Sequence, residues 1–176
     1  MKIGFCGTMS VGKTTLVHAL QQLPEFKDYM FRTERSKYLM SQGIPLNTDS
    51  TLKGQTVFLA ERASELIQEN IITDRTIIDV MAFARVSKSM DHSEKYDFEQ
   101  VATLLIKEYD YIFYVSPEGV DMEDNGVRET DTEYRKLIDF IITNFLKSRS
   151  SLIKNYGILE GSTEERIKQL KFQLGL

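Results

Sequence analysis

Gly7-Thr8-Met9-Ser10-Val11-Gly12-Lys13-Thr14 decides how this chain folds. The stretch fits G-x-x-x-x-G-K-[ST] at every fixed position and follows directly on the apolar run Ile3-Gly4-Phe5-Cys6. Ahead of it, residues 2–6 predict a short buried strand. Behind it, Thr15-Leu16-Val17-His18-Ala19-Leu20 predicts the opening of a helix. The chemistry needs this order. Two glycines let the backbone curl until successive N–H groups face one concavity, a nest for oxyanions. The helix N-terminus adds its partial positive charge. Lys13 can then reach the β- and γ-phosphates of a nucleoside triphosphate, and the Thr14 hydroxyl can ligate Mg²⁺. Gly7, Ser10, Val11, Gly12, Lys13, Thr14 and Thr15 are the expected phosphate contacts, with ATP and Mg²⁺ as the expected cofactors. A chance glycine-rich turn would have to coincide with both the strand before and the helix after.

With 176 residues, 41% of them hydrophobic, the chain is expected to form one domain with an adequate core. Charges are plentiful but mixed, and a net charge of −4 argues against a strongly basic nucleic-acid platform. Cys6, the only cysteine, excludes an internal disulfide; its place at the end of an apolar run predicts a buried core thiol. Met-Lys leading into a strand does not read as a signal peptide. No apolar run approaches the ~20 residues of a membrane helix. A cytoplasmic protein without a membrane partner is the expectation.

Strands are predicted at 2–6, 29–33, 71–73, 111–115 and 157–159. Helices are predicted at 13–22, 36–42, 52–70, 78–88, 98–108, 131–148 and 163–174, the last capped by Ser162 or Thr163 with Glu164 and Glu165 in its first turn. Strands separated by helices imply an α/β fold: a three-layer arrangement with a five-stranded parallel sheet between helices. The polar stretch 121–126 and residues 91–95 read as surface loops. Tyr109, Tyr111, Phe113 and Tyr114 fall on and beside a core strand, which favours packing over base stacking.

Open α/β sheets bind ligands at the carboxyl ends of their strands, so charged residues just after strands matter most. Three such places should rim one crevice: Arg32-Thr33-Glu34-Arg35, Asp74-Arg75-Thr76 and Gly161-Ser162-Thr163. Asp74, ending a strand beside the phosphate-loop strand, can hold Mg²⁺ or orient an acceptor hydroxyl; its alternative is a helix cap. Arg75 is poised for phosphate or substrate. Glu34 suits a general base, or else a local salt bridge with its arginine neighbours. Arg128 and Arg135, in and after the polar loop, can close over the γ-phosphate as a lid spanning about 118–136, or simply face solvent.

Asp74-Arg75-Thr76-Ile-Ile-Asp79-Val-Met-Ala-Phe83-Ala84 resembles the deoxyribonucleoside-kinase segment that reads Glu-Arg-Ser before a short helix ending in Phe-Ala. It also resembles the Asp-Arg-Tyr segment of thymidylate kinases. The fuller set GTMSVGKTTL, RTERSKYL, ITDRT, GVRETDTEYR and GILEGSTEERI is most similar to the ribosylnicotinamide-kinase-like phosphate-loop ATPase family of bacteria and phages. The resemblance implies ATP with Mg²⁺ as donor and a nucleoside-like or nucleoside monophosphate acceptor. It places Glu34 or Asp74 near the acceptor, Arg75 in contact with it, Arg128 in the lid, and Gly161-Ser162-Thr163 beside the adenine. Arg35 and Arg135 are the further substrate-binding candidates. Thr76 stands where the better-known kinases have Ser or Tyr, and no base-reading signature accompanies the acceptor side.

Competing classes lack their marks. A switch GTPase needs Asn-Lys-x-Asp and an Asp-x-x-Gly, and neither is present; a motor ATPase needs paired acids where Ile71-Ile72-Thr73-Asp74 offers one. A non-kinase ATPase or regulatory nucleotide-binding protein stays open, as does a kinase of a hydroxymethylated base in DNA, although an acidic chain does not advertise a nucleic-acid groove. A homodimer is also left open.

Overall fold

The structure, a computed structural model, describes residues 1–33, 35–118 and 132–176. Among these, five strands form one sheet: β1 (Lys2–Cys6), β2 (Met30–Arg32), β3 (Ile71–Thr73), β4 (Tyr111–Val115) and β5 (Tyr156–Leu159). Seven α-helices accompany them: α1 (Lys13–Gln21), α2 (Ser36–Ser41), α3 (Leu52–Glu65), α4 (Ile77–Val86), α5 (His92–Leu104), α6 (Thr132–Ser148) and α7 (Thr163–Leu174). The strand order is β2-β3-β1-β4-β5, and every neighbouring pair is parallel.

The three central strands are apolar runs because helices cover both of their faces. On one face Leu16, Val17 and Leu20 of α1 and Leu170 of α7 pack with Ile3, Phe5 and Phe113. On the other, Leu59, Val80, Phe98 and Ile138 from α3, α4, α5 and α6 share a core with Ile112 and Tyr114. Tyr109, Phe113 and Tyr114 are buried, as the packing reading required, and so is Cys6, whose thiol is pushed up mainly by burial. The chain leaves β1 to build β2 and β3 on one side and then crosses to β4 on the other. β1 therefore ends at the switch point, where open parallel sheets bind ligands.

Two helices differ from expectation. α3 ends at Glu65, not residue 70, because the chain must turn at 66–70 to enter the sheet. There Asn70 offers its carbonyl to Met30 N–H, and the N-terminal ammonium bonds Glu69 O and Asn70 Oδ1. α5 spans His92–Leu104 instead of 98–108, and residues 91–95 open it instead of forming a surface loop. Asp91 accepts from Glu94 N–H while the Glu94 carboxylate accepts from Asp91 N–H, a capping box. No helix among the described residues is long and apolar enough to cross a membrane.

Candidate nucleotide and acceptor site

The loop after β1 is built by its backbone dihedrals. Gly7 has φ +148°, and a Cβ there would come within 2.7 Å of Val115 O on the neighbouring strand. Ser10 (φ 56°) and Gly12 (φ 82°) are both left-handed, and this alternation turns successive amides into a concavity. Gly12 is also the N-cap of α1 and supplies no side-chain acceptor, so the first amides of α1 remain available to an anion. Thr15, in that first turn, is exposed.

Lys13 is 6% exposed. Its Nζ donates to Gly7 O at 2.6 Å and Thr8 O at 2.8 Å, so the ammonium rests inside the loop's own curl. Burial pulls its pKa down from the usual lysine value, and the charge of Asp79 opposes that pull. Thr14 Oγ1 donates to Asp74 Oδ2, which brings the two expected metal ligands into direct contact. A hydroxyl beside a buried carboxylate is an all-oxygen donor pair of the kind Mg²⁺ takes from a protein when phosphates and waters complete its shell. Asp74 reaches this position because its N–H continues the sheet ladder to Arg32 O at 2.9 Å.

The cap reading of Asp74 does not apply, because Thr76 caps α4. Its hydroxyl accepts from Ile78 N–H at 3.1 Å, and Asp79 Oδ2 accepts from Thr76 N–H at 2.8 Å. The other oxygen, Asp79 Oδ1, accepts from Gly7 N–H at 3.1 Å, so one fully buried carboxylate holds the phosphate loop and α4 together. Sequence reading gave Asp79 no role. The Thr-x-x-Asp spacing of 76–79 was the available signal.

Arg75 points the other way from its neighbour. Its guanidinium lies over the Phe83 ring at 4.9 Å, and with Ser36, Gln55, Phe58 and Val80 it lines a small hollow. Gln55 is 3% exposed and lines this hollow together with Phe58 and Phe83. It too went unread in the sequence, where it is one polar residue of a helix. Arg35 turns from the hollow toward α3, pairing with Glu61 at 3.1 Å and lying over the Tyr38 ring. Arg135, in the first turn of α6, approaches Ser10 O at 3.5 Å, while its carbonyl accepts from Thr8 Oγ1 at 3.0 Å.

Across the sheet, Gly161 (φ 80°) turns the chain into α7. Ser162 caps that helix in a capping box with Glu165, whose carboxyl is held below its usual value by the Ser162 bonds, and Thr163 begins the helix. Glu34, Arg128 and residues 119–131 of the expected lid lie outside the described residues.

A β-strand, an anion-binding loop and a helix at the switch point of a β2-β3-β1-β4-β5 parallel sheet define the phosphate-loop nucleotide-binding class. The chain belongs to the AAA domain family, whose model matches residues 2–166. No curated protein matches its sequence. Its fold is similar to that of a deoxyadenosine kinase from M. mycoides with the products dCMP and a flexible dCDP bound, at 20% identity and a TM-score of 0.71, over 99% of this chain and 98% of that one. It is also similar to NadR protein in complex with NR, at 17% identity and a TM-score of 0.78. That match covers 99% of this chain but 51% of NadR, so the chain spans about half of that protein's length.

Proposed function

We propose that this protein is an ATP- and Mg²⁺-dependent kinase that transfers a phosphoryl group to a hydroxyl of a nucleoside-like acceptor or to a nucleoside monophosphate. The observation that carries the reading is the dipeptide Asp74-Arg75. Its first member touches Thr14 of the phosphate loop, and its second lines an aromatic hollow with a buried amide. One turn of backbone thus joins a triphosphate site to a slot suited to a flat, hydrogen-bonding ring, with Phe58 and Phe83 as apolar walls and Gln55 as the polar group that fixes orientation.

The loop amides and Lys13 hold the phosphates, and Lys13 exchanges its present carbonyl partners for phosphate oxygens. Thr14 and Asp74 would hold Mg²⁺, which would offset the phosphates' negative charge during transfer. The acceptor oxygen forms the new P–O bond as the bridging bond to ADP breaks, and its proton passes to Glu34 or Asp74. Arg75 orients the acceptor, and Arg128 with Arg135 closes over the transferred group. Gly161-Ser162-Thr163 flanks the adenine. The chain acts as one domain with its lid near 118–136. Similarity of fold to a deoxyadenosine kinase and to NadR supports the class of acceptor.

The test is ADP release from Mg²⁺-ATP with nucleosides, ribosylnicotinamide, nucleoside monophosphates and hydroxymethyluracil-containing DNA, with products weighed. One small acceptor heavier by a phosphoryl group is expected. Equal ADP release without acceptor would replace the reading by an ATPase, and phosphorylated DNA would replace the acceptor.

A further inference from the structure

Arg166 lies in the first turn of α7, 155 residues from the loop it touches, and is 2% exposed. Its Nη1 donates to Val11 O at 2.5 Å and its Nη2 to Ser116 O at 3.1 Å. Its Nε is buried without a hydrogen-bond partner. Burial lowers its pKa, and among the described residues its hydrogen bonds go to carbonyls alone. A buried guanidinium facing only carbonyls is costly unless a counter-charge arrives. The phosphate loop is where one would arrive.

We propose that Arg166 is a positioning residue for the phosphate loop: it fixes the Val11–Gly12 peptide so that Gly12 N–H faces the bound phosphates, and its charge acts on them through the loop backbone. This rests on the nucleotide site argued above. The peptide is trans, so its C=O and N–H point in opposite directions. Anchoring Val11 O on the outer side of the loop therefore aims Gly12 N–H to the inner side. Gly12 has no side chain to obstruct the contact, since a Cβ there would meet Arg166 Nη1 at 3.2 Å. The second arm, on Ser116 O, ties this arrangement to the end of β4. A fixed cation in a dry site then attracts phosphate without reorganising when the nucleotide binds.

Calorimetric titration of the full chain with ATP and with inorganic tripolyphosphate tests this, comparing wild type, Arg166→Ala and Arg166→Lys. Both ligands should bind Arg166→Ala about 10- to 100-fold more weakly. Added guanidinium ion should recover part of that affinity. Arg166→Lys, which keeps the charge but cannot fork between two carbonyls, should show a smaller but clear loss. Wild-type affinity for tripolyphosphate in folded Arg166→Ala would overturn the proposal, as would a loss confined to ATP. Should Arg166→Ala fail to fold, Arg166→Lys decides, and wild-type affinity there overturns the positioning role. A wild type that binds neither ligand would sink the nucleotide site itself, an outcome distinct from the others.

Discussion

A buried charge has to be matched or it titrates, and Glu65 shows how this chain handles one. Its carboxyl is 7% exposed and pairs with the equally buried Arg62 at 2.7 Å. Burial pushes its pKa up to about 7, against the pull of Arg62, with Glu61 adding to the rise and Arg32 and Arg35 opposing it. Between roughly pH 4.5 and 7 the folded protein therefore holds a proton that the unfolded chain has released. Folding stability falls as pH rises through that window, by on the order of 3 kcal/mol for this group. Urea unfolding at pH 5 and pH 8 should show wild type losing stability relative to Glu65→Gln by that order. Parallel pH profiles for the two proteins would refute the assignment. Lys13 is matched differently, by Gly7 O and Thr8 O, which leaves its ammonium ready to exchange partners.

At the scale of elements, the phosphate loop is held from three sides: α4 through Asp79, α6 through the Thr8–Arg135 carbonyl contact, and α7 through Arg166. Asp79→Ala removes both the capping box of α4 and the partner of Gly7 N–H. It should cost roughly 2–4 kcal/mol in denaturant unfolding and weaken ATP binding as well. Normal stability with normal ATP affinity would show the bridge to be incidental. These three contacts explain what could be read in advance and what could not. The β1–loop–α1 unit was legible because its chemistry is local: adjacent residues, fixed glycines, one helix start. Asp74 and Arg75 were singled out because they follow a strand, and open parallel sheets bind ligands at strand carboxyl ends; Asp74 lies against Thr14 and Arg75 at the hollow. Gln55 and Arg166 were not singled out, because each acts on residues at least 20 positions away or across a cavity, and a lone polar residue in a helix carries no mark of that; Asp79 carried the local Thr-x-x-Asp signal, but its bond to Gly7 N–H spans 72 positions. The start of α5 was written in Asp91 and Glu94, and it was obscured by the polarity of residues 91–95, which resembles a loop.

For the whole molecule, the parallel order β2-β3-β1-β4-β5 sends every strand's carboxyl end to one edge. Residues 13, 14, 74, 75, 135 and 166, far apart in sequence, meet there through the sheet. The aromatic hollow opens beside the loop, and the cap of α7 stands on its other flank. The proposed kinase reading assigns phosphate, acceptor and adenine to three parts of this one edge. Transfer of labelled γ-phosphoryl from Mg²⁺-ATP to a nucleoside panel, with wild type and Lys13→Ala assayed side by side, tests that reading most directly. The account predicts label in one nucleoside-like product with wild type and at least a ~10³-fold loss with a folded Lys13→Ala. Label appearing only as inorganic phosphate, or an undiminished rate in Lys13→Ala, would contradict it.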